Sequence, residues 1–401
     1  MKGGEQEFRF DTDHEKIFRQ ESSFSYLTGV EEPGCFLTIE LETGKSVLFV
    51  PDLPMEYAVW MGVVYPKSYY EEKYGVEEVL FVDDIPAYFK EKNPNPIFIN
   101  RGVNTDSGHT TMEATFDGID QYKVDYERLF GDIGECRVIK TPQELEVMRY
   151  VAKISSEAHK QVMRKMQPGM MEYQLESLFL HECYARGGAR CVAYTCICGA
   201  GHSGATLHYG RNNKRVEDDE MCLFDMGCEY QCYTSDITCS YPSNGKFSDK
   251  MKVIYNAVLA CVKAVSKEVK PGAYWPDLHR LSERTMCEEL KKAGLLQGDV
   301  DNMMKHFIGS SLQPHGLGHL MGLDVHDIGG YPGGAKRSAE PGLRNLRCGR
   351  HLEEGMVLTI EPGCYFVDAV LDPLLANPET ARFFNQEMLA TYRGFGGVRI
   401  E

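Results

Sequence analysis

The sequence predicts an α+β fold with two domains. Residues 141–401 form the larger one, built from two pseudo-symmetric halves, and residues 1–136 form a smaller α/β domain ahead of it. Three observations carry this. A helix–Pro-Gly–helix pattern occurs twice, 103 residues apart, so that 168–169 falls on 271–272 and Leu175 and Leu178 fall on Leu278 and Leu281. Each helix pair is followed by an apolar strand ending in a carboxylate with a glycine two residues on: Asp225 with Gly227, and Glu361 with Gly363. The texture of the chain also changes near residue 140, from short segments to long amphipathic helices. The 401 residues allow two or three domains, and the internal repeat explains why length alone suggests three.

The elements follow in order. Residues 35–41 and 46–50 are β-rich apolar runs joined by a turn with Gly44, a hairpin signal. Residues 53–61 and 85–92 read as helices, and 96–99 as a short strand. Thr141, Pro142 and Glu144 compose a capping box with proline at the first helical position. Behind it Leu145, Met148, Ala152, Ser155, Ala158 and Val162 recur at helical spacing until Pro168 and Gly169. A second helix carries Tyr173, Leu175, Leu178, Phe179 and Cys183 and stops at Gly187 and Gly188. In the second half, 250–267 is a long helix closed by Pro271 and Gly272, with another opening at Trp275.

Composition excludes several functions. The chain has 43 basic and 59 acidic side chains, net −16, which opposes binding to nucleic acid or to an anionic membrane surface. No apolar run reaches membrane-spanning length, and the first residues lack an export signal. The 14 cysteines form no CxxC pair of zinc-site spacing and read as reduced, structural thiols of a cytoplasmic protein.

Chemistry concentrates in the second domain. Asp225 ends an apolar strand, and Asp236 lies eleven residues later across a turn. If the flanking strands pair, both carboxylates reach a shared cation; otherwise Asp225 caps a turn and Asp236 is solvated. His315, His319 and His326 crowd into twelve residues, in PHGLGH at 314–319 and VHD at 325–327. The glycines there argue against a helix and let backbone approach a ligand; singly, each histidine also reads as a core residue. With Glu361 and Glu401, the set becomes four carboxylates and one imidazole. That hard, oxygen-rich set suits a pair of divalent ions such as Mn²⁺ better than a structural zinc.

Asp225, Asp236, His319, Glu361 and Glu401 in this order, within PHGLGH, VHD and EPG, resemble the metallopeptidases of the creatinase, aminopeptidase P and methionine aminopeptidase superfamily. Over nearly its whole length the chain is more closely similar to the eukaryotic prolidase (Xaa-Pro dipeptidase) family, through residues 18–22, 101–108, 194–199, 207–209 and 341–344. The resemblance implies a pita-bread metallopeptidase domain behind a creatinase-like N-terminal domain. It implies two divalent ions per subunit, with Asp225 on one, His319 and Glu361 on the other, and Asp236 and Glu401 between them. The activity implied is hydrolysis of Xaa-Pro dipeptides by a hydroxide held between the ions, with Glu361 as proton shuttle and His326 stabilising the oxyanion. Arg347, with His208 and Arg399, would hold the proline carboxylate, and Tyr194 would line the pocket. Surface salt bridging is the alternative for the two arginines. A homodimer is implied, with Trp60 closing the neighbour's pocket; Trp60 reads equally as a core residue of its own domain.

Against the family pattern the chain lacks the first elements of the N-terminal domain and the strand that follows the last ligand. Glu401 is therefore expected to be mobile, and the activity of this chain to suffer. Two other functions are compatible with the residues: an aminopeptidase P acting on longer Xaa-Pro peptides, and a non-catalytic binding protein on the same fold.

Overall fold

In the computed structural model, which describes residues 1–401, the chain separates into two units, Met1–Arg137 and Val138–Glu401.

The first unit is organised by a sheet of β1 (Phe36–Ile39), β2 (Ser46–Val50) and β3 (Glu78–Phe81). The expected hairpin is present: β1 and β2 pair antiparallel, Phe36 opposite Phe49, and β3 adds in parallel to β2. The two faces of β2 feed two cores, as its period of two requires. Leu48 and Val50 join Phe24 of α1 (Ser22–Thr28), while Val47 and Phe49 join Ile85, Tyr88 and Phe89. The predicted helix at 53–61 is shorter, α2 (Tyr57–Met61), because its first turn is taken up by a bend in which Pro54 O accepts from Tyr57 N. There follow α3 (Lys67–Tyr74) and α4 (Ile85–Lys92), the latter as expected. β4 (Ile97–Phe98) pairs in parallel with β5 (Val124–Asp125), and α5 spans Leu129–Val138.

The second unit opens on α6 (Pro142–Lys165), whose capping box forms as predicted. Thr141 Oγ1 accepts from Glu144 N, and a Glu144 carboxylate oxygen accepts from Thr141 N at 2.7 Å. α7 (Glu172–Gly187) is closed by Gly188 in the left-handed region. β6 (Cys191–Val192) and β7 (Ile197–Ala200) lead to β8 (Met221–Asp225), β9 (Cys228–Tyr230), β10 (Tyr233–Thr234) and β11 (Thr238–Pro242). β7 and β11 flank β8 antiparallel, with Ile197 and Thr238 opposite Asp225. The helix pair then recurs as α8 (Asp249–Glu268) and α9 (Trp275–Lys292), followed by α10 (Val300–Lys305) and α11 (Ile308–Leu312). Gly169 and Gly272, the turn glycines of the two halves, have φ of +95° and +88°, a region that glycine enters without steric cost. A final antiparallel pair, β12 (Gly363–Tyr365) and β13 (Gly397–Arg399), carries the last segments of the site.

One sequence expectation fails here. The apolar run before Glu361 is not a regular strand matching β8; only Leu358 makes a ladder contact, with Leu320. Residues 317–321 nevertheless run beside it, through Met321 N to Val357 O, Thr359 N to His319 O and Glu361 N to Leu317 O. A Cβ on Gly318 would fall 2.1 Å from Thr359 O, and one on Gly316 2.9 Å from Leu346 Cα. Glycines beside these histidines thus admit close neighbouring backbone.

Candidate metal centre

Asp225 is the last residue of a strand buried at all five positions, so its carboxylate enters the site without water to solvate it. Asp236 is not opposite it in the ladder, because the β9–β10 hairpin intervenes and Thr238 takes that place. The Tyr194 hydroxyl joins the two aspartates instead, donating toward Asp225 Oδ1 and lying 2.6 Å from Asp236 Oδ1. Tyr194 therefore stands among the carboxylates.

His319 is presented from the glycine-rich run. Its Nε2 lies 3.3 Å from Asp236 Oδ2 and 3.3 Å from Glu361 Oε1, and its Nδ1 3.0 Å from Leu320 O. Thr359 Oγ1 accepts from His319 N and donates to Glu361 Oε1 at 3.2 Å, fixing one of these side chains against the other. Glu401 follows β13: its amide donates to Thr238 O at 3.1 Å, and its Oε2 accepts from Thr238 Oγ1 at 2.9 Å. All five expected ligand residues are thus brought together, from segments separated by up to 176 positions.

The electrostatics are those of crowded buried acids. Burial, reinforced by Asp236 and moderated by Arg399, raises the Asp225 carboxyl to about 7. Burial and the surrounding carboxylates push Glu401 well above its ordinary range. Burial opposes charge on His319, but its contacts with Asp236 and Glu361 outweigh this and raise it to about 10. His326 stacks edge-on to His319 at 4.5 Å between ring centres. Burial first, then His319 and Arg347, lowers His326 to about 3, so its ring stays neutral.

A donor set of this kind fits divalent cations. Asp236, His319 and Glu401 each offer a ligand atom, and these atoms lie within 4.8 Å of one another. Glu401 Oε1 is buried with no hydrogen-bond partner, an arrangement whose cost a cation would remove.

Arg399 is the residue whose situation differs most from the expectation. It is buried, and its guanidinium pairs with Asp225 Oδ2, donates to Thr238 Oγ1 at 2.9 Å and to Tyr365 OH at 2.8 Å. Those bonds leave it a counter-ion within the site. Arg347 lies close enough to depress both His326 and His208, the latter chiefly through partial burial and then through Arg347 and Arg399. His315 contacts Tyr365 OH at 2.9 Å and, buried, falls to about 4. Trp60 is not in the core of its own unit; it is 85% exposed on α2. Sequence reasoning missed Thr238, Thr359 and Tyr365. The one available signal was position, since Thr238 sits two residues after Asp236 and Thr359 two before Glu361.

Residues 146–401 match the description "Metallopeptidase family M24", and residues 1–96 "Aminopeptidase P, N-terminal domain". The chain is 54% identical to the Xaa-Pro dipeptidase of Mus musculus and 53% to that of Homo sapiens, covering 100% of this chain and 82% of each relative. A probable Xaa-Pro aminopeptidase of Verticillium alfalfae is 34% identical, covering 100% of this chain and 85% of the relative. Among solved structures, Pseudomonas aeruginosa aminopeptidase PepP matches with TM-score 0.80 and 29% identity, over 100% of this chain and 86% of that one. Zinc-substituted E. coli aminopeptidase P in complex with product matches with TM-score 0.77 and 30% identity, over the same shares. The pita-bread fold and the N-terminal domain expected from the sequence are those of these structures. With a family match over more than half its length, and full-length relatives well above 30% identity, the chain belongs to metallopeptidase family M24.

Proposed function

We propose that this chain is a metal-dependent Xaa-Pro dipeptidase, hydrolysing dipeptides whose second residue is proline. The carrying observation is that donor atoms of Asp236, His319 and Glu401 lie within 4.8 Å of one another, with Glu401 Oε1 buried and without a hydrogen bond, in a chain 54% identical to a named Xaa-Pro dipeptidase.

Asp225, Asp236, His319, Glu361 and Glu401 would hold two divalent ions, and the oxygen-dominated set favours Mn²⁺. Such ions, when bound, acidify water and polarise a peptide carbonyl. The chain's own groups do the rest. Glu361, oriented by Thr359, would accept a proton and return it to the leaving proline nitrogen. His326, kept neutral, would donate a ring N–H to the carbonyl oxygen as negative charge grows there. The planar guanidinium of Arg347 would take the free carboxylate of the proline, with His208 beside it. Arg399 would act on Asp225 rather than on substrate.

We also read the protein as a cytoplasmic homodimer. Support comes from an apolar exposed run on α2, with Val59 78%, Trp60 85% and Met61 50% exposed, and from fourteen free cysteines. No helix is long and apolar enough to cross a membrane.

The test is proline release from Gly-Pro by the Mn²⁺-loaded protein, abolished by chelator. Arg347→Ala is expected to raise KM for Gly-Pro about ten- to a hundredfold with less effect on kcat. Faster turnover of Xaa-Pro tripeptides, with Arg347→Ala silent, would instead favour an aminopeptidase P, the activity named for the relatives at 34–36% identity.

A further inference from the structure

Helix α9 carries three side chains along its buried stripe, one turn apart, that the proposed chemistry does not use: Trp275, His279 and Glu283. His279 and Glu283 are 0% and 1% exposed, positions where helix stripes ordinarily hold apolar groups. Two of the three, Trp275 and His279, have a defined partner in a site loop. Trp275 Nε1–H donates to Gly318 O at 3.2 Å, and Leu317 N–H donates to His279 Nδ1 at 3.1 Å. A backbone N–H only donates, so Nδ1 is unprotonated and the ring proton sits on Nε2. That proton points to Glu283 Oε1, 3.1 Å away.

Glu283 reaches a second segment. Its Oε1 accepts from the Ser310 hydroxyl, and its Oε2 from Arg280 Nη1 at 2.5 Å. Arg280 goes on to the Glu340 carboxylate and to Pro341 O at 3.3 Å. Gly342 packs so tightly that a Cβ would lie 2.3 Å from Glu283 Oε1, and its φ is +86°. Leu317 is two residues before His319, and Gly342 is five before Arg347. One buried cluster therefore touches the backbone leading to a ligand and the backbone leading to the substrate arginine. Buried charge is not an efficient source of stability, since an apolar set of the same volume packs as well or better.

We propose that His279 and Glu283 are positioning residues for both arms of the site. His279 sets the backbone of residues 317–319 and with it the reach of His319 toward the ions. Glu283 fixes the tautomer of His279 and anchors the turn at 340–342 from which Arg347 is presented. The second arm rests on the dipeptidase reading; the first concerns ion binding and stands apart from it.

The experiment compares His279→Asn, His279→Gln and Glu283→Gln in the full chain. Asparagine places an acceptor where Nδ1 was, and glutamine places a donor where Nε2 was, at similar polarity and burial. Mn²⁺ binding by calorimetry, Gly-Pro kinetics and thermal unfolding are measured for each. His279→Gln is expected to weaken Mn²⁺ binding about tenfold, while His279→Asn stays within about threefold of wild type. His279→Asn and Glu283→Gln are expected to raise KM for Gly-Pro about tenfold, with Mn²⁺ affinity nearly unchanged. Equal effects of the two His279 substitutions on Mn²⁺ affinity, or lowered melting temperature with both affinity and KM intact, would overturn the proposal. Wild type that binds Mn²⁺ without cleaving Gly-Pro would remove the dipeptidase reading and leave the His279 arm decided by calorimetry.

Discussion

The two halves of the second unit solve one problem with different means. In the first, α7 supports a regular ladder: Glu172 accepts from Ala200 N, Tyr209 OH and Lys214 N, and Glu176 from Asn212 Nδ2. Shifted by 103 residues, Glu172 falls on Trp275 and Glu176 on His279, which hold Gly318 O and Leu317 N from α9. The same helix positions thus hold segments outside the helix in both halves, with acceptors in one half and a donor and an imidazole in the other. Where β8 sits between two partners, hydrogen bonding along the ladder holds Asp225. Where the ladder is irregular, at 317–321, helix side chains and glycines do that task for His319. Regularity lets a ligand be carried by backbone pairing; its loss shifts the burden onto specific side chains.

If both halves supply indispensable ligands, Asp225→Asn and His319→Ala should each lower Gly-Pro turnover by at least about two orders of magnitude. Activity surviving one of them would assign the chemistry to a single half. Next comes the glycine difference. Gly318→Ala forces a Cβ onto Thr359 backbone and should cost about 3 kcal/mol in urea unfolding. Gly199→Ala on β7, whose nearest contact is 2.9 Å, should cost less, about 1–2 kcal/mol. Gly169→Ala and Gly272→Ala probe what the halves share: both have positive φ, and each should cost about 1 kcal/mol. A wide disparity between them would argue that the two turns are not equivalent.

The smallest effect concerns acid. His159 is buried against Met226 O at 2.9 Å in the first half, where the second has Val262, and burial lowers its ring to about 4 from 6.5. The unfolded chain therefore takes up this proton first as pH falls. The contribution is whole above pH 6.5 and is lost on descent toward pH 4. His159→Val should flatten the stability curve by up to about one proton over that window. An unchanged slope would mean that acid acts elsewhere.

Much of this was legible. The capping box at Thr141, the helix pairs and the Pro-Gly turns are local signals, and local signals survive folding. The five expected ligand residues stand at recognisable motifs. The irregular run before Glu361 was not legible, because apolar periodicity does not say whether a strand finds a full ladder partner. The exposure of Trp60 was hidden because an aromatic in a short helix has no sequence mark for which way it faces. His279 and Glu283 looked like part of an amphipathic helix. Their partners lie 38 and 27 residues away, at Leu317 and Ser310, beyond any local pattern.

Four acids of one site meet two positive groups that belong to the chain itself, Arg399 on Asp225 and His319 between Asp236 and Glu361. Their mutual repulsion is thereby partly quenched from within. The consequence is one of supply: the polypeptide has the means to fold ahead of metal delivery. Cellular ion availability would then set how much of the folded stock works, rather than how much of it exists.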